Sequence, residues 1–119
     1  MKSRGDLFEQ RAVNWLEGEG WSVVARNYRT QFGEIDIIAL DKGTLVFIEV
    51  RARQNPRFAS ARSSIDWRKQ RKICRSAQQF LKQQPRWSGR ACRFDVIAFE
   101  PTQSAIELKL QWIRSAFTI

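Results

Sequence analysis

No histidine occurs among the 119 residues. That absence removes serine–histidine nucleophile systems, histidine-ligated zinc and imidazole acid–base chemistry. Any catalysis in this chain rests on carboxylates, lysine, arginine or a hard metal ion. Cysteine is nearly absent too: Cys74 and Cys92 allow one disulfide at most, and neither has a neighbour at metal-ligand spacing. They read as free thiols in a reducing compartment, which predicts a cytoplasmic protein. No apolar run approaches the ~18 residues of a membrane span. The opening Met1-Lys2-Ser3-Arg4-Gly5-Asp6 leads into charged residues and not into the apolar segment of a secretory signal. No repeat, low-complexity segment or linker divides the chain, so residues 1–119 read as a single domain.

Large apolar groups are plentiful. Five Trp and eight Phe, with 43% of residues apolar, are too many for a solvated chain, and the length suffices for a core without disulfides or structural metal. Charge is uneven. The net charge is +9 and the isoelectric point about 10.6. Residues 1–50 carry six basic and eight acidic side chains, whereas residues 51–93 carry thirteen basic ones against Asp66 alone. A block this one-sided is the electrostatic footprint of a polyanion binder, although a basic surface that merely keeps the protein in solution has the same composition.

Phe8, Ala12, Trp15 and Leu16 recur at helical spacing, which predicts a helix from Asp6, as N-cap, to about Gly18. Trp21 to Tyr28, Gly33 to Leu40 and Leu45 to Ala52 read as strands, with Asp41-Lys42-Gly43-Thr44 as a tight hairpin. Gln54 to Ser64, with Pro56, reads as a loop. Ile65 to about Gln84 is the longest predicted helix, its apolar stripe formed by Ile73, Ala77, Phe80 and Leu81. Arg93 to Phe99 and, more weakly patterned, Ile106 to Ile113 are further strands. This order predicts an α/β fold in which a small mixed sheet is covered by helices on both faces. Ile35, Ile37, Val46, Ile48 and Val50 are assigned to one face, and Ile38, Leu40, Leu45 and Phe47 to the other.

A two-residue Lys42-Gly43 loop sets the hairpin register. Leu40 then faces Leu45, Ile38 faces Phe47, Asp36 faces Glu49 and Glu34 faces Arg51, with the charged residues together at one end of one face. Directly opposed like charges destabilise a sheet. A divalent cation on Asp36 and Glu49 would offset the repulsion, and Mg²⁺ accepts carboxylates together with phosphate oxygens. Two other readings stand beside it. Arg51 could neutralise the acids in a structural ion-pair cluster, and a three-residue loop would send Asp36 and Glu49 to opposite faces.

The segments Gly33-Glu34-Ile35-Asp36-Ile37-Ile38-Ala39 and Val46-Phe47-Ile48-Glu49-Val50-Arg51-Ala52-Arg53 resemble the YraN-like family of small bacterial proteins. That family is placed in the restriction-endonuclease-like PD-(D/E)XK superfamily, near archaeal Holliday junction resolvases. The likeness extends over nearly the whole chain, through Gly5 to Leu16, Arg26-Asn27-Tyr28-Arg29, Lys69, Arg93-Phe94-Asp95-Val96 and Trp112 to Phe117. It implies a nuclease-like core of α-β-β-β-α-β order and metal-binding positions at Asp36 and Glu49, holding Mg²⁺ or Mn²⁺. It also implies a helix-borne acid at Glu9, and by analogy a homodimer acting on DNA, more than on RNA, with branched or junction DNA as substrate. Glu9 has a second reading, since Asp6 and Glu9 have the spacing of a capping box; helical geometry also lets it face the sheet. Arg51 departs from the motif, which has lysine there. Arginine stays charged and cannot act as a base, but it clamps phosphate.

Lys69 lies about 40° from Ile73 on the helical wheel, on the core side, and is either a replacement for that lysine or a side chain snorkelling at the rim. Arg68, Arg71, Arg75 and Lys82 fall on the opposite face as a phosphate-contacting stripe, joined by Arg53, Arg57 and Arg62 of the loop. Binding through such a stripe weakens steeply with salt. The five Trp are scattered across elements and such residues are more often core than base-stacking platforms; Trp67 and Trp87, which flank the basic helix, are the two to test for stacking. The sequence thus predicts a nucleic-acid-binding protein with a nuclease-like fold. It is either a Mg²⁺-dependent endonuclease, with the cation polarising phosphate and lowering the pKa of the attacking water, or a non-catalytic adaptor that keeps the fold. A protein–protein module with a basic face is a weaker third possibility.

Overall fold

Lys42 and Gly43 take φ values of +51° and +94°, the left-handed conformations that both inner positions of a type I′ turn require. In this computed structural model, which describes residues 4–52, 66–101 and 108–117, that turn joins β2 (Gly33–Asp41) to β3 (Thr44–Ala52). The pairs Leu40–Leu45, Ile38–Phe47 and Ile37–Ile48 are those that a two-residue loop dictates.

β1 (Ser22–Thr30) precedes this hairpin, and β4 (Cys92–Pro101) and β5 (Leu108–Phe117) follow it. The sheet order is β1-β2-β3-β4-β5. β3 and β4 are parallel and the other neighbours antiparallel, so α2 (Trp67–Gln83) lies in the connection between the parallel pair. α1 (Arg4–Gly18) covers one face, packing Phe8, Ala12, Val13 and Leu16 against Ile37, Ala39, Val46, Ile48, Ile97 and Phe99. α2 covers the other, packing Ile73, Cys74, Ala77 and Phe80 against Ile38, Leu45, Phe47, Phe94 and Val96. The fold is α/β with a mixed five-stranded sheet between two helices, in α-β-β-β-α-β order plus a last strand, and is compatible with a small nuclease-like core. No helix among the described residues is long and apolar enough to cross a membrane.

The β2–β3 ladder ends at Ile37 and Ile48. Past that point β2 stays with β1, pairing Glu34 with Arg29 and Gly33 with Thr30, while β3 stays with β4 as far as Ala52 opposite Phe99. The sheet forks, and the open end becomes the site described below.

Four expectations are corrected. Asp6 lies within α1 and is not its N-cap, and the Glu9 carboxylate that a capping box would use is bonded to Asn27. α2 starts at Trp67, two residues later than expected, behind the cap Asp66, whose carboxylate accepts the Lys69 N–H at 2.9 Å. Ile35 joins the α2-side cluster while Ile37 stays with the α1-side cluster, so the face alternation of β2 is interrupted between them, opposite the stretch of β1 where Asn27 has φ +51°. Glu34 does not face Arg51: its carboxylate is held on the β1 side by Arg29 at 3.3 Å, because the strands have already parted. Ile65, the loop from Gln54 to Ser64 and the Ile106 end of the last predicted strand lie outside the described residues.

Candidate active site

At the fork, β2 and β3 still bring their acids together although the backbone ladder has ended. The Val50 amide donates to Asp36 Oδ2 at 2.8 Å, so the Asp36 side chain spans the gap and ties β3 to β2. Glu49, 3% exposed, stands between Arg51 Nη2 at 3.2 Å and Lys69 Nζ at 3.4 Å. Lys69 is thus paired with an acid in the cleft as well as being partly open to solvent.

α1 supplies Glu9, 8% exposed. Its Oε1 accepts from Asn27 Nδ2 at 2.7 Å, and the same amide donates to Glu34 Oε1 at 2.8 Å. Asn27 clamps these two acids from a left-handed backbone position that asparagine tolerates better than most residues. One carboxylate oxygen from each of Glu9, Glu34 and Asp36 lies within 4.8 Å of the others. Neither Glu9 nor Asp36 has an ion-pair partner among the described residues.

Crowding shifts their protonation. Burial, then the charge of Asp36, pushes Glu9 up to about 7. Burial, then the charge of Glu49, pushes Asp36 up to about 7. Burial raises Glu49 as well, against the opposing pull of Lys69 and Arg51. A group of carboxyls that resists full ionisation at neutral pH has a standing electrostatic demand for positive charge.

These residues line a cleft of about 660 Å³, with Glu9, Glu34, Asp36 and Glu49 as its acidic part and Arg51, Arg68, Lys69 and Lys72 as its basic part. Phe32 and Gly33, at the β1–β2 turn, line it too. That turn is held by Thr30, whose Oγ1 accepts from Phe32 N–H at 2.9 Å and lies 2.8 Å from Ser76 Oγ on α2.

Asp36, Glu49, Arg51, Lys69 and Glu9, the predicted chemical set, therefore meet at one cleft. Arg68, expected on the face of α2 away from Lys69, lines the cleft with it; adjacent residues diverge by only about 100°, and both reach the mouth from the first turn. Arg71, Arg75 and Lys82 are exposed on α2 outside the cleft. Arg75 covers the Phe32 ring at 5.7 Å, and Lys82 sits in the last helical turn, where a cation favours the dipole. Arg53, Arg57 and Arg62 lie outside the described residues. Glu34 entered the sequence reading only as a charged neighbour in the hairpin and Asn27 only within the family likeness, neither with a site role; Phe32 and Lys72 were not singled out. The Arg26-Asn27-Tyr28 step carried a signal for the clamp, because asparagine inside a strand pattern is a candidate for positive φ.

Fold and site define a class: a two-helix α/β sheet whose split end holds clustered carboxylates facing arginine and lysine. Residues 8–99 match the family model described as "Uncharacterised protein family UPF0102". The chain belongs to this family. It is 46% identical over 116 residues to a UPF0102 protein of Alcanivorax borkumensis, covering 98% of this chain and 92% of that one. A UPF0102 protein of Pseudomonas putida is 42% identical over 113 residues, 95% and 91% of the two chains. One from Halorhodospira halophila is 40% identical over 116 residues, 98% and 88%. The YraN-like likeness seen in the sequence is consistent with this membership.

Proposed function

We propose that the protein binds DNA and hydrolyses its phosphodiester bonds with the help of Mg²⁺ or Mn²⁺. The observation that carries this reading is the two-sided cleft: crowded acids, two of them with pKa values near 7, face four cationic side chains. The acidic part takes a cation and the basic part takes a phosphate, and a phosphodiester with its metal ion presents both. The donor set fits such an ion, because carboxylate oxygens are the hard ligands that Mg²⁺ and Mn²⁺ select. Asp36 and Glu49 would hold it, with Glu9 and Glu34 close enough to Asp36 to contribute. A bound divalent cation supplies Lewis-acid charge at the scissile phosphate and makes water more acidic.

The chain's own residues do the rest. Arg51 and Arg68 hold phosphate oxygens and stabilise the charge that builds on them. Lys69, beside Glu49, restores the ammonium that Arg51 cannot imitate, since an ammonium exchanges protons and a guanidinium does not. It orients water or delivers a proton to the leaving oxygen. DNA is preferred to RNA, and a homodimer to a monomer, on the family likeness alone; the free thiols Cys74 and Cys92 favour a cytoplasmic location.

A second reading has an observation of its own. Glu49 is already met by Arg51 and Lys69, as a binding adaptor without cleavage would leave it. The test incubates the purified protein with branched and linear DNA in Mg²⁺, Mn²⁺ or EDTA. The hydrolase gives cleavage with either metal and none in EDTA. Asp36→Asn and Lys69→Ala each lower cleavage by about 100-fold or more, with affinity kept within about twofold because neither acts mainly as a phosphate anchor. Binding without cleavage selects the adaptor. Unchanged cleavage in Lys69→Ala removes the role given to that residue.

A further inference from the structure

We propose that Trp67 is a stacking platform for an unpaired nucleobase, so that the nucleic acid bound at the cleft carries a single-stranded segment across the N-terminus of α2. The proposal rests on the reading of the protein as a nucleic-acid binder and names the form of its ligand.

The tryptophans are used in different ways. Trp21 is buried in the α1-side core, and both it and Trp15 meet Trp112 edge to face with ring centroids 5.3 Å apart. Trp87 packs half-buried against the α2-side core. Trp67 is 60% exposed and, with Leu7 on α1, is one of the two large apolar side chains left open among the described residues. An exposed indole gives up much of the burial free energy that tryptophan normally contributes, so its position asks for an occupant.

Its mounting is rigid. Trp67 is the first residue of α2, immediately after the Asp66 cap, and the helix behind it is anchored by Ile73, Cys74, Ala77 and Phe80. Asp66 and Arg68, its chain neighbours, both line the cleft, which sets the indole at the cleft's lip. The guanidinium carbons of Arg68 and Arg71 lie 5.7 and 5.8 Å from the ring centroid. They cover part of the ring, leave the rest open, and bring positive charge to where the phosphates of a stacked nucleotide run. Aromatic platforms flanked by cations bind single strands with little sequence preference, because every base has a π face. A base inside a duplex is already stacked on its neighbours and offers that face only after leaving the helix. The platform therefore separates single-stranded or frayed DNA from intact duplex.

The experiment measures binding of a labelled single-stranded oligonucleotide and of a blunt duplex of equal length, in EDTA, to the wild type, Trp67→Ala and Trp67→Phe. Trp67→Ala weakens single-strand binding by about tenfold and duplex binding by less than about twofold, while Trp67→Phe keeps most of the single-strand affinity. Wild-type indole fluorescence is quenched by the single strand, and Trp67→Ala loses a large share of that quenching. Equal losses on both ligands, or no loss on the single strand, overturn the proposal. So does a change in self-association in Trp67→Ala without a change in DNA affinity, which would make the indole a protein contact. Absence of DNA binding by the wild type removes this proposal and the function together. Trp67-dependent binding with no cleavage in Mg²⁺ leaves the platform standing and removes only the hydrolase.

Discussion

Two groups of acids are drawn out of solvent in this protein, and they are treated in opposite ways. On the α1 side of the sheet, Asp95 has no exposed surface. It accepts from Arg93 Nε at 2.9 and 3.2 Å, from Arg93 Nη2 at 3.1 Å and from Trp112 Nε1 at 2.8 Å. Arg93 also reaches Asp41 at 3.3 Å, and its guanidinium lies 5.4 and 5.9 Å from the rings of Trp21 and Trp112. Burial works against the charge of Arg93, but its bonds to Asp95 and Asp41 outweigh burial and raise its pKa. At the fork, Glu9 and Asp36 are crowded together, and the charge of Arg51, which favours ionised Asp36, does not outweigh burial and the neighbouring carboxylates. One chain thus both neutralises a buried acid fully and leaves others in mutual repulsion. The repulsion left at the fork is what the proposed cation would relieve.

The largest expected effect breaks the compensated cluster. Arg93→Met leaves Asp95 buried without its guanidinium, and removing one partner of a buried pair costs about 3–5 kcal/mol. Chemical denaturation at neutral pH measures the loss. A loss below about 1 kcal/mol would show that this cluster is no more than a surface ion pair, and the contrast with the fork would fail.

The fork behaves in the opposite sense. Asp36 and Glu9 have pKa values raised to about 7, above the carboxylate values of an unfolded chain. Between those values and pH 7 the native state holds protons that the unfolded state has released, so stability falls as pH rises through that window. Asp36→Asn keeps a carbonyl oxygen to accept from Val50 and removes the charge. It stabilises the protein at pH 8 by about 1–2 kcal/mol, a figure limited by the open cleft, and flattens the slope between pH 5 and 8. Melting curves across that range decide; a slope unaffected by Asp36→Asn would mean that the acids are not coupled.

Much of this arrangement was legible in the sequence because it follows from local rules. Lys42-Gly43 is a two-residue turn, and once its length is known the register of Ile38 with Phe47 and the approach of Asp36 to Glu49 follow. Helical spacing found the core face of α2 and put Lys69 beside it. The fork was not legible, since alternation simply continues through Glu34 and Arg51 in the sequence. The parting of β2 from β3 depends on their separate partners, β1 and β4, which are distant in the chain. Glu34 was given the wrong partner, and Lys72 none, for the same reason: what makes each a cleft residue is a neighbour from another element. Asn27, with φ +51°, could have been suspected from its residue type, but not the two acids that it clamps.

The smallest effect sharpens the comparison most, because it separates repulsion that awaits a ligand from repulsion that is merely tolerated. If the fork takes a divalent cation, Mg²⁺ or Mn²⁺ stabilises the native state by mass action. At about three times its dissociation constant the cation adds about 0.8 kcal/mol. The gain is larger at pH 8 than at pH 5, since at pH 5 protons occupy the same carboxylates and compete with the metal. Asp36→Asn loses the gain, although by itself it stabilises the protein. Arg93→Met keeps it, although it is the less stable variant, because neither Arg93 nor Asp95 lines the cleft. Thermal melts of the three proteins with and without metal therefore give a pattern that general salt stabilisation cannot imitate. Equal gains in all three at both pH values would assign the effect to ionic strength and leave the acids of the fork without a metal to hold.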